Sequence, residues 1–305
     1  MRVGVVGMGW VGSSVAISTL HAGIARELWV SDLDGELAQG EAMDLAHGGA
    51  FYPTAAVRCA TVEEMRDCDA VVVAAGRGGR PDQSRLDLVR ENAAITRSIG
   101  EALRGARGVI VMVTNPVDVL THVMMRAAEL PMDRVIGTGT MLDTARLRHA
   151  IGRELAIDSH SVHAHVIGEH GDSEVVLWSG ARVGSSALRG MTGWDRAKEP
   201  VIAGEVRTAA YEIIRRKGAT NHAIGLVTAQ LLSAILRDEK RVLTVSRTLD
   251  ASMGMGEIAL SLPAVIGAGG AERVLVPEME DAEREAFARS AGVLRAAAAS
   301  AEAGA

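Results

Sequence analysis

The chain has 305 residues, a formal net charge of −6 and 48% apolar residues, enough for two domains around a sizeable core. Its basic residues are scattered rather than blocked, which argues against a nucleic-acid surface, and Gly, Pro or a charge interrupts each apolar run before it reaches membrane-spanning length. Phe and Tyr total only four, so the core must be aliphatic and rich in alanine.

From the start, "MRVGVVGMGWVGSSVAISTLHAG" reads as a short strand, a glycine turn and a helix. "ELWVSDLD" is a second strand ended by acids, and "GELAQGEAMDLAHG" has helical spacing of its apolar residues. "DCDAVVVAAG" is a third strand, whose unalternated run suits a parallel sheet covered on both faces. "SRLDLVRENAAITRSIGEALRG" is a long helix, "GVIVMVTNPVDVLTHVMMRAA" a strand entering a helix, and "RVIGTG" a further strand. This alternation predicts an α/β fold with a doubly wound parallel sheet.

Beyond roughly Gly139 the pattern changes. "TMLDTARLRHAIGREL" is helical, and "HSVHAHVIGEHGDSEVVLWSGARVG" reads as strands around a tight polar turn. Two long helices follow, in "VIAGEVRTAAYEIIRRKG" and "NHAIGLVTAQLLSAILRDEK". "RVLTVSRTL" and "GEIALSLPAVIGAGGAERVLV" are strand-like, and the chain ends in a surface helix. The second half is therefore expected to be mixed α+β. Cys59 and Cys68 are the only cysteines and form no CxxC pair; they read as reduced, buried thiols of a cytoplasmic protein. Glycine turn signals start at Gly7, with no n-region, h-region and cleavage site ahead of them, so no secretory leader is expected.

"GMGWVG" places Gly7, Gly9 and Gly12 in the spacing G-x-G-x-x-G directly after a strand. The first glycine permits the tight turn, the second lets a pyrophosphate approach the backbone, and the third lets helix and strand pack closely. Asp32 ends the next strand, 20 residues beyond Gly12. It can accept both ribose hydroxyls of NAD and would repel a 2′-phosphate, which disfavours NADP. Met8, Trp10 and Val11 between the glycines, and Ala75 and Gly76 after the third strand, complete the expected cofactor-binding set. Residues 1–140 are expected to form the dinucleotide-binding domain and residues 141–305 the substrate domain.

The remaining polar candidates are less local. Asn115 in "VTNPVD" stands at the end of a buried strand, where open sheets hold ligands, and equally fits a capping or turn role ahead of Pro116. Asp143, Arg146 and His149 recur three apart on one helical face, which fits a solvated face with an ion pair as well as a shielded carboxylate. His170 in "GEHGDSEV" lies between acids and glycines. A histidine held by a carboxylate keeps one tautomer and gains basicity, so His170 with Asp143 is a candidate proton donor with its orienter. Sequence alone does not pair them. His163, His165 and His170 have no cysteine or further ligand at metal-site spacing, so no metal is expected.

Taken together, "VGVVGMGWVGS", "VTNPVDVLT", "GTGTMLDTARLRH", "VIGEHGDSEVVLWS" and "LSLPAVIGAGG" resemble the L-lactate/malate dehydrogenase family, and more closely its bacterial L-lactate dehydrogenases. The resemblance implies that His170 donates a proton to a 2-oxo group and that Asp143 stabilises the imidazolium. Arg146 would grip the substrate carboxylate with a bidentate fork. Arg85 would polarise the carbonyl from a mobile loop, and Asn115 would contact substrate and nicotinamide. Thr220 would sit beside the substrate's small group, and Ile224 would pack on the nicotinamide. Arg148 and His163 match residues that bind fructose 1,6-bisphosphate in some bacterial relatives, which are activated tetramers. A homotetramer is implied over a dimer.

The chain departs from that pattern at Gly79. The family discriminates substrates there, with glutamine in lactate dehydrogenases and arginine in malate dehydrogenases. Glycine supplies neither an amide nor a charge, and it removes a wall of the pocket. Arg80 turned inward would suit oxaloacetate or another dicarboxylate; turned outward, it would leave a slot for pyruvate or a bulkier 2-oxo acid. Lactate or a broader L-2-hydroxy acid is the expected substrate class. Malate, a specialised acid outside both, and a non-catalytic NAD-binding protein are the alternatives.

Overall fold

The computed structural model describes residues 1–78, 85–250 and 254–302, with backbone only for Arg85, Leu86 and Glu302. Gly79 and Arg80 lie outside the described residues.

The first half alternates strands and helices: β1 (Arg2–Val6), α1 (Trp10–His21), β2 (Glu27–Ser31), α2 (Gly35–His47), β3 (Ala56–Cys59) and β4 (Ala70–Val73). It continues with α3 (Arg85–Ala102), β5 (Val109–Met112), α4 (Val117–Ala128) and β6 (Val135–Gly137). These six strands are parallel, in the order β3-β2-β1-β4-β5-β6. β4 (AVVV) and β5 (VIVM) are buried throughout, because helices cover both faces. The edge strand β3 escapes the sequence reading. Its AVRC is short, broken by Arg58 and nowhere fully buried, so it carries no long apolar run. Cys59 in that strand is half-buried rather than buried, while Cys68 is buried.

The second half begins with α5 (Met141–Leu155) and the short strands β7 (Val162–His163), β8 (Val166–Ile167), β9 (Val175–Val176), β10 (Arg182–Val183) and β11 (Ser186–Ala187). Then come α6 (Glu199–Lys217), α7 (His222–Leu236), β12 (Arg241–Thr248), β13 (Ala259–Gly267), β14 (Gly270–Val274) and α8 (Asp281–Glu302). β12, β13 and β14 run antiparallel and extend the first sheet beyond β6, giving nine strands. The two halves therefore share one sheet. α7 also returns to the first half, packing on α1. A side chain at Gly225 would meet the Ser14 carbonyl at 2.6 Å, so the two helices touch through backbone.

Two apolar clusters lie on the sheet, and a third, around Leu147, Ile151, Trp178 and Ile202, fills the second half. Among the described residues no helix is long and apolar enough to cross a membrane.

Candidate active site

The strand order reverses between β1 and β4, and open α/β sheets bind ligands outside the strand ends at such a point. Gly7, Gly9 and Gly12 lie there. Gly7 has φ +93°, and a Cβ would sit 2.4 Å from the Ala75 backbone nitrogen. A Cβ on Gly12 would collide with the Gly7 carbonyl at 1.7 Å. Gly9 differs: a Cβ there would meet nothing within 4 Å. Gly7 and Gly12 thus close the turn, and Gly9, the N-cap of α1, leaves open space at the start of that helix, where N–H groups favour a phosphate.

Asp32 is aimed by its neighbours. Its Oδ2 accepts the Met8 N–H at 2.6 Å and its Oδ1 the Asp34 N–H at 3.0 Å. Asp32, Gly7, Gly9, Ala75 and Gly76 line a cavity of about 970 Å³. Trp10 is exposed, and it borders a separate groove with Ser13 and Asp44. Of the expected cofactor set, Met8, Trp10 and Gly12 line neither this cavity nor the one at the second site; Met8 is buried, and its backbone serves Asp32.

The second site is assembled from distant segments. α5 is fixed by threonines: Thr140 Oγ1 donates to the Val166 carbonyl at 2.6 Å, and Thr144 Oγ1 accepts the Val166 N–H at 3.0 Å. Asp143 stands in the first turn of α5, where the helix dipole favours a negative charge. It is 2% exposed, so the solvated-face reading does not apply to it, whereas His149 is exposed. Arg146 Nη1 donates to Asp143 Oδ1 at 2.7 Å, and His170 Nδ1 lies 2.5 Å from Asp143 Oδ2. One carboxylate therefore holds a guanidinium and an imidazole side by side.

The segment bearing His170 is itself clamped. Gly168 and Ser261 exchange backbone hydrogen bonds at 2.9 Å, and the Glu169 N–H donates to Ser290 Oγ at 2.8 Å. Gly168 has φ +87°, with Ser290 Oγ only 2.6 Å from where a Cβ would be, so the turn needs glycine.

These groups face a cavity of about 120 Å³ that brings together Val11, Asn115, Arg146, His170, Thr220 and Ile224. Its remaining wall includes Val113, Leu142, Ala210 and Ile214. Asn115 also accepts the Val117 N–H at 3.3 Å, so it combines the turn role with a place at the cavity. Arg85 opens α3, and its side chain lies outside the described residues.

Burial opposes charging His170, but Asp143 and then Asp118 outweigh it and raise the imidazole to about 9. Burial likewise opposes ionisation of Asp143, yet the His170 imidazolium and the Arg146 guanidinium hold its carboxyl below the usual range. The resting state is thus an ionised Asp143 with a protonated His170.

Three residues at this site escape sequence reasoning. Asn92, 1% exposed, accepts the Arg77 N–H at 2.8 Å and donates to the Asn115 carbonyl at 3.0 Å, tying the start of the glycine-rich loop to the cavity. Asp118 accepts the His170 N–H. Glu174 is buried, and desolvation and Asp143 push it up to about 8. Asn92 and Asp118 stand in ordinary helical contexts and Glu174 just before β9, and none of them carries a motif.

Arg148 and His163 border a separate cavity of about 370 Å³, with His160, His165 and Arg241. His163 is exposed, and His165 is half-buried and pushed down to about 4 by burial, Arg148 and His163. Among the described residues no group of three His, Cys, Asp or Glu could hold a metal.

Residues 1–137 match the family model of the lactate/malate dehydrogenase NAD binding domain, and residues 140–304 that of the lactate/malate dehydrogenase alpha/beta C-terminal domain. The L-lactate dehydrogenase of Thermus aquaticus is 44% identical over 308 residues, covering 98% of each chain. That of Synechococcus sp. (strain JA-3-3Ab) is 42% identical over 298 residues, covering 97% of each. Two solved structures superpose with a TM-score of 0.94. One is a lactate dehydrogenase enzyme from a Medee basin deep-sea metagenome library, at 36% identity over 99% of this chain and 98% of that one. The other is the minor L-lactate dehydrogenase of Enterococcus mundtii in its ligands-bound form, at 39% identity over 98% and 97%. NAD is the cofactor, and the glycine turn and Asp32 fit it.

Proposed function

Because the chain belongs to the lactate/malate dehydrogenase family and is an NAD-dependent oxidoreductase of that kind, we propose that it is an L-2-hydroxyacid dehydrogenase of the lactate type, interconverting pyruvate, or a related small 2-oxo monocarboxylate, and its L-2-hydroxy acid. One observation carries this reading. A guanidinium suited to a carboxylate, Arg146, stands beside a carboxylate-held histidine in one small cavity. In this reading residues 1–140 carry the dinucleotide and residues 141–305 the proton-transfer groups.

The bound nicotinamide supplies or accepts the hydride. Arg146 grips the substrate carboxylate with two parallel N–H donors, which fixes the 2-oxo group in one orientation. His170 presents its free Nε2 to the carbonyl oxygen and delivers the proton as negative charge develops there. Asp143 keeps the proton on Nδ1 and stabilises the charged ring before transfer. In the oxidative direction a neutral His170 takes the hydroxyl proton instead. Thr220 and Ile224 shape the side on which the substrate's small group and the nicotinamide meet. Arg85, the first residue of α3, adds a positive charge at the developing oxyanion; removing such a donor typically costs about 3–4 kcal/mol. Arg85→Gln should therefore lower turnover by orders of magnitude while NADH binding survives, and unchanged turnover would refute the assignment.

The cavity wall supports a monocarboxylate. Among the described residues lining it, Arg146 is the only arginine, and Val113, Leu142, Ala210 and Ile214 are apolar. A dicarboxylate would need a second cation, the place the sequence offers to Arg80, which lies outside the described residues. The test is NADH oxidation followed by absorbance with pyruvate, oxaloacetate, 2-oxobutyrate, 2-oxoisocaproate and phenylpyruvate. Highest kcat/KM for a monocarboxylate supports the reading, and preference for oxaloacetate overturns it.

The reading extends to assembly and control. A homotetramer activated by fructose 1,6-bisphosphate is supported by the basic lining that Arg148, His163 and Arg241 give one cavity. A flat rate and unchanged sedimentation across a titration with that bisphosphate would exclude it.

A further inference from the structure

His170 is held by two carboxylates, and the mechanism above uses only one. Asp143 takes the ring at Nδ1. Asp118, in the first turn of α4, takes the backbone: its Oδ2 accepts the His170 N–H at 2.7 Å. Asp118 is 2% exposed. The other donor near it is the hydroxyl of Ser246, a buried β12 residue, which bonds it only weakly, short of full hydrogen-bond geometry. Burying a carboxylate with so few donors is costly. An asparagine would accept the same N–H without burying a charge, so satisfying one backbone group does not account for an acid at this position.

Two features of the surroundings do account for it. Asp118 lies three residues beyond Asn115, which lines the substrate cavity. The segment that places Asn115 on one side of the substrate therefore also grips the backbone of the histidine on the other. The second feature is charge. The ring that Asp118 faces must be positive to deliver a proton, and a nearby negative charge in a buried setting favours that state.

We propose that Asp118 is a positioning residue for the proton donor: its carboxylate fixes the His170 backbone relative to the Asn115 segment, and its negative charge favours the protonated imidazole. This rests on the reading of His170 as the proton donor. Other charged groups surround the pair. Asp143 and Arg146 face it from α5, where they are ion-paired with each other. Glu169 and Glu174 flank it in the His170 segment, Arg207 acts from α6 on Glu174, and His122 lies one turn further along α4. Burial pushes Asp118 up to about 6, and Glu169 adds to this, against the opposing pull of Ser246 and His170. At neutral pH and above, Asp118 is accordingly ionised, and that is the range in which His170 releases its proton.

Asp118→Asn keeps an acceptor for the His170 N–H and removes the charge. In reduction of a 2-oxo acid by NADH, the alkaline fall of kcat/KM should move to lower pH by about one unit, with NADH affinity, read by fluorescence quenching, unchanged. Asp118→Glu should return the fall toward its wild-type position. Asp118→Ala, which loses the acceptor as well, should lower kcat by a further factor of about ten. An alkaline fall that stays in place in Asp118→Asn overturns the proposal. A measurement on the wild-type protein covers the case in which these variants do not fold. The His170 amide proton, in ¹⁵N-labelled protein, should resonate far downfield and move upfield as the pH drops through about 6. An ordinary, non-downfield amide shift at pH 8 overturns the proposal. Because that resonance needs no turnover, an enzyme inert toward every 2-oxo acid would refute the proton-donor reading without being confused with failure of the Asp118 contact.

Discussion

At the nucleotide end the working groups are backbone, and at the proton-transfer end they are side chains. The Gly7–Gly12 turn acts by what it leaves out: two positions where a Cβ would collide with backbone, and one open position. The Asp143–Arg146–His170 cluster acts by what it brings in, from α5 and from a loop 27 residues downstream of Asp143. A backbone site needs only a short contiguous motif. A side-chain site needs the whole second half to fold around it, and each of its members tolerates less substitution chemically than sterically.

That contrast predicts different failures at the two ends. The largest effect should come from His170→Gln. It removes the proton donor, so kcat should fall by about 10²–10⁴-fold in stopped-flow or steady-state reduction, while NADH still binds. Loss of NADH binding in that variant would show that the two ends are not separable. Arg146→Lys keeps the charge but loses the fork, and should raise KM for the 2-oxo acid by about 10²-fold, a penalty of about 2.7 kcal/mol. An unchanged KM would move carboxylate recognition elsewhere.

At the nucleotide end, Gly12→Ala should destabilise the fold by about 1–3 kcal/mol in urea titration, because its Cβ overlaps the Gly7 carbonyl. Gly9→Ala, facing open space, should leave stability within about 0.5 kcal/mol and weaken NADH binding. Equal stability losses at Gly9 and Gly12 would contradict the geometry. The smallest effect concerns pH and stability. His170 is raised from 6.5 to about 9 in the folded state, so its stabilising contribution is complete below pH 6.5 and lost as pH rises to 9. Glu174 is raised from 4.5 to about 8, so it too makes the fold less stable as pH climbs through that window. The melting temperature should therefore decline by a few degrees between pH 6.5 and 9, and His170→Gln should flatten that slope.

How much of this was legible in the sequence follows the same division. The glycine spacing and Asp32 announced the nucleotide end, because strand, turn and helix are adjacent in the chain. Runs such as AVVV and VIVM gave the central strands away, since both faces of each are buried. β3 was not legible, because an edge strand with one poor face has no such run. At the other end, His170, Asp143 and Arg146 stood out through resemblance, but composition could not bring the histidine to the carboxylate across the rest of α5 and two short strands. Nor could it show that β12–β14 join the first sheet, because antiparallel pairing to β6 depends on register and not on local pattern. Asn92, Asp118 and Glu174 carry no motif at all. Their importance lies in what they touch after folding: a loop backbone, a histidine N–H and a buried charge cluster.

The central claim is that a protonated His170, held by Asp143, delivers the proton in reduction. It is tested most directly by the pH dependence of kcat/KM for pyruvate with NADH saturating. The account predicts a plateau through neutral pH and a tenfold fall per pH unit above a midpoint near 9, the value to which the surrounding carboxylates raise the imidazole. A rate that holds its plateau to pH 10.5, or one that rises with pH, would contradict it.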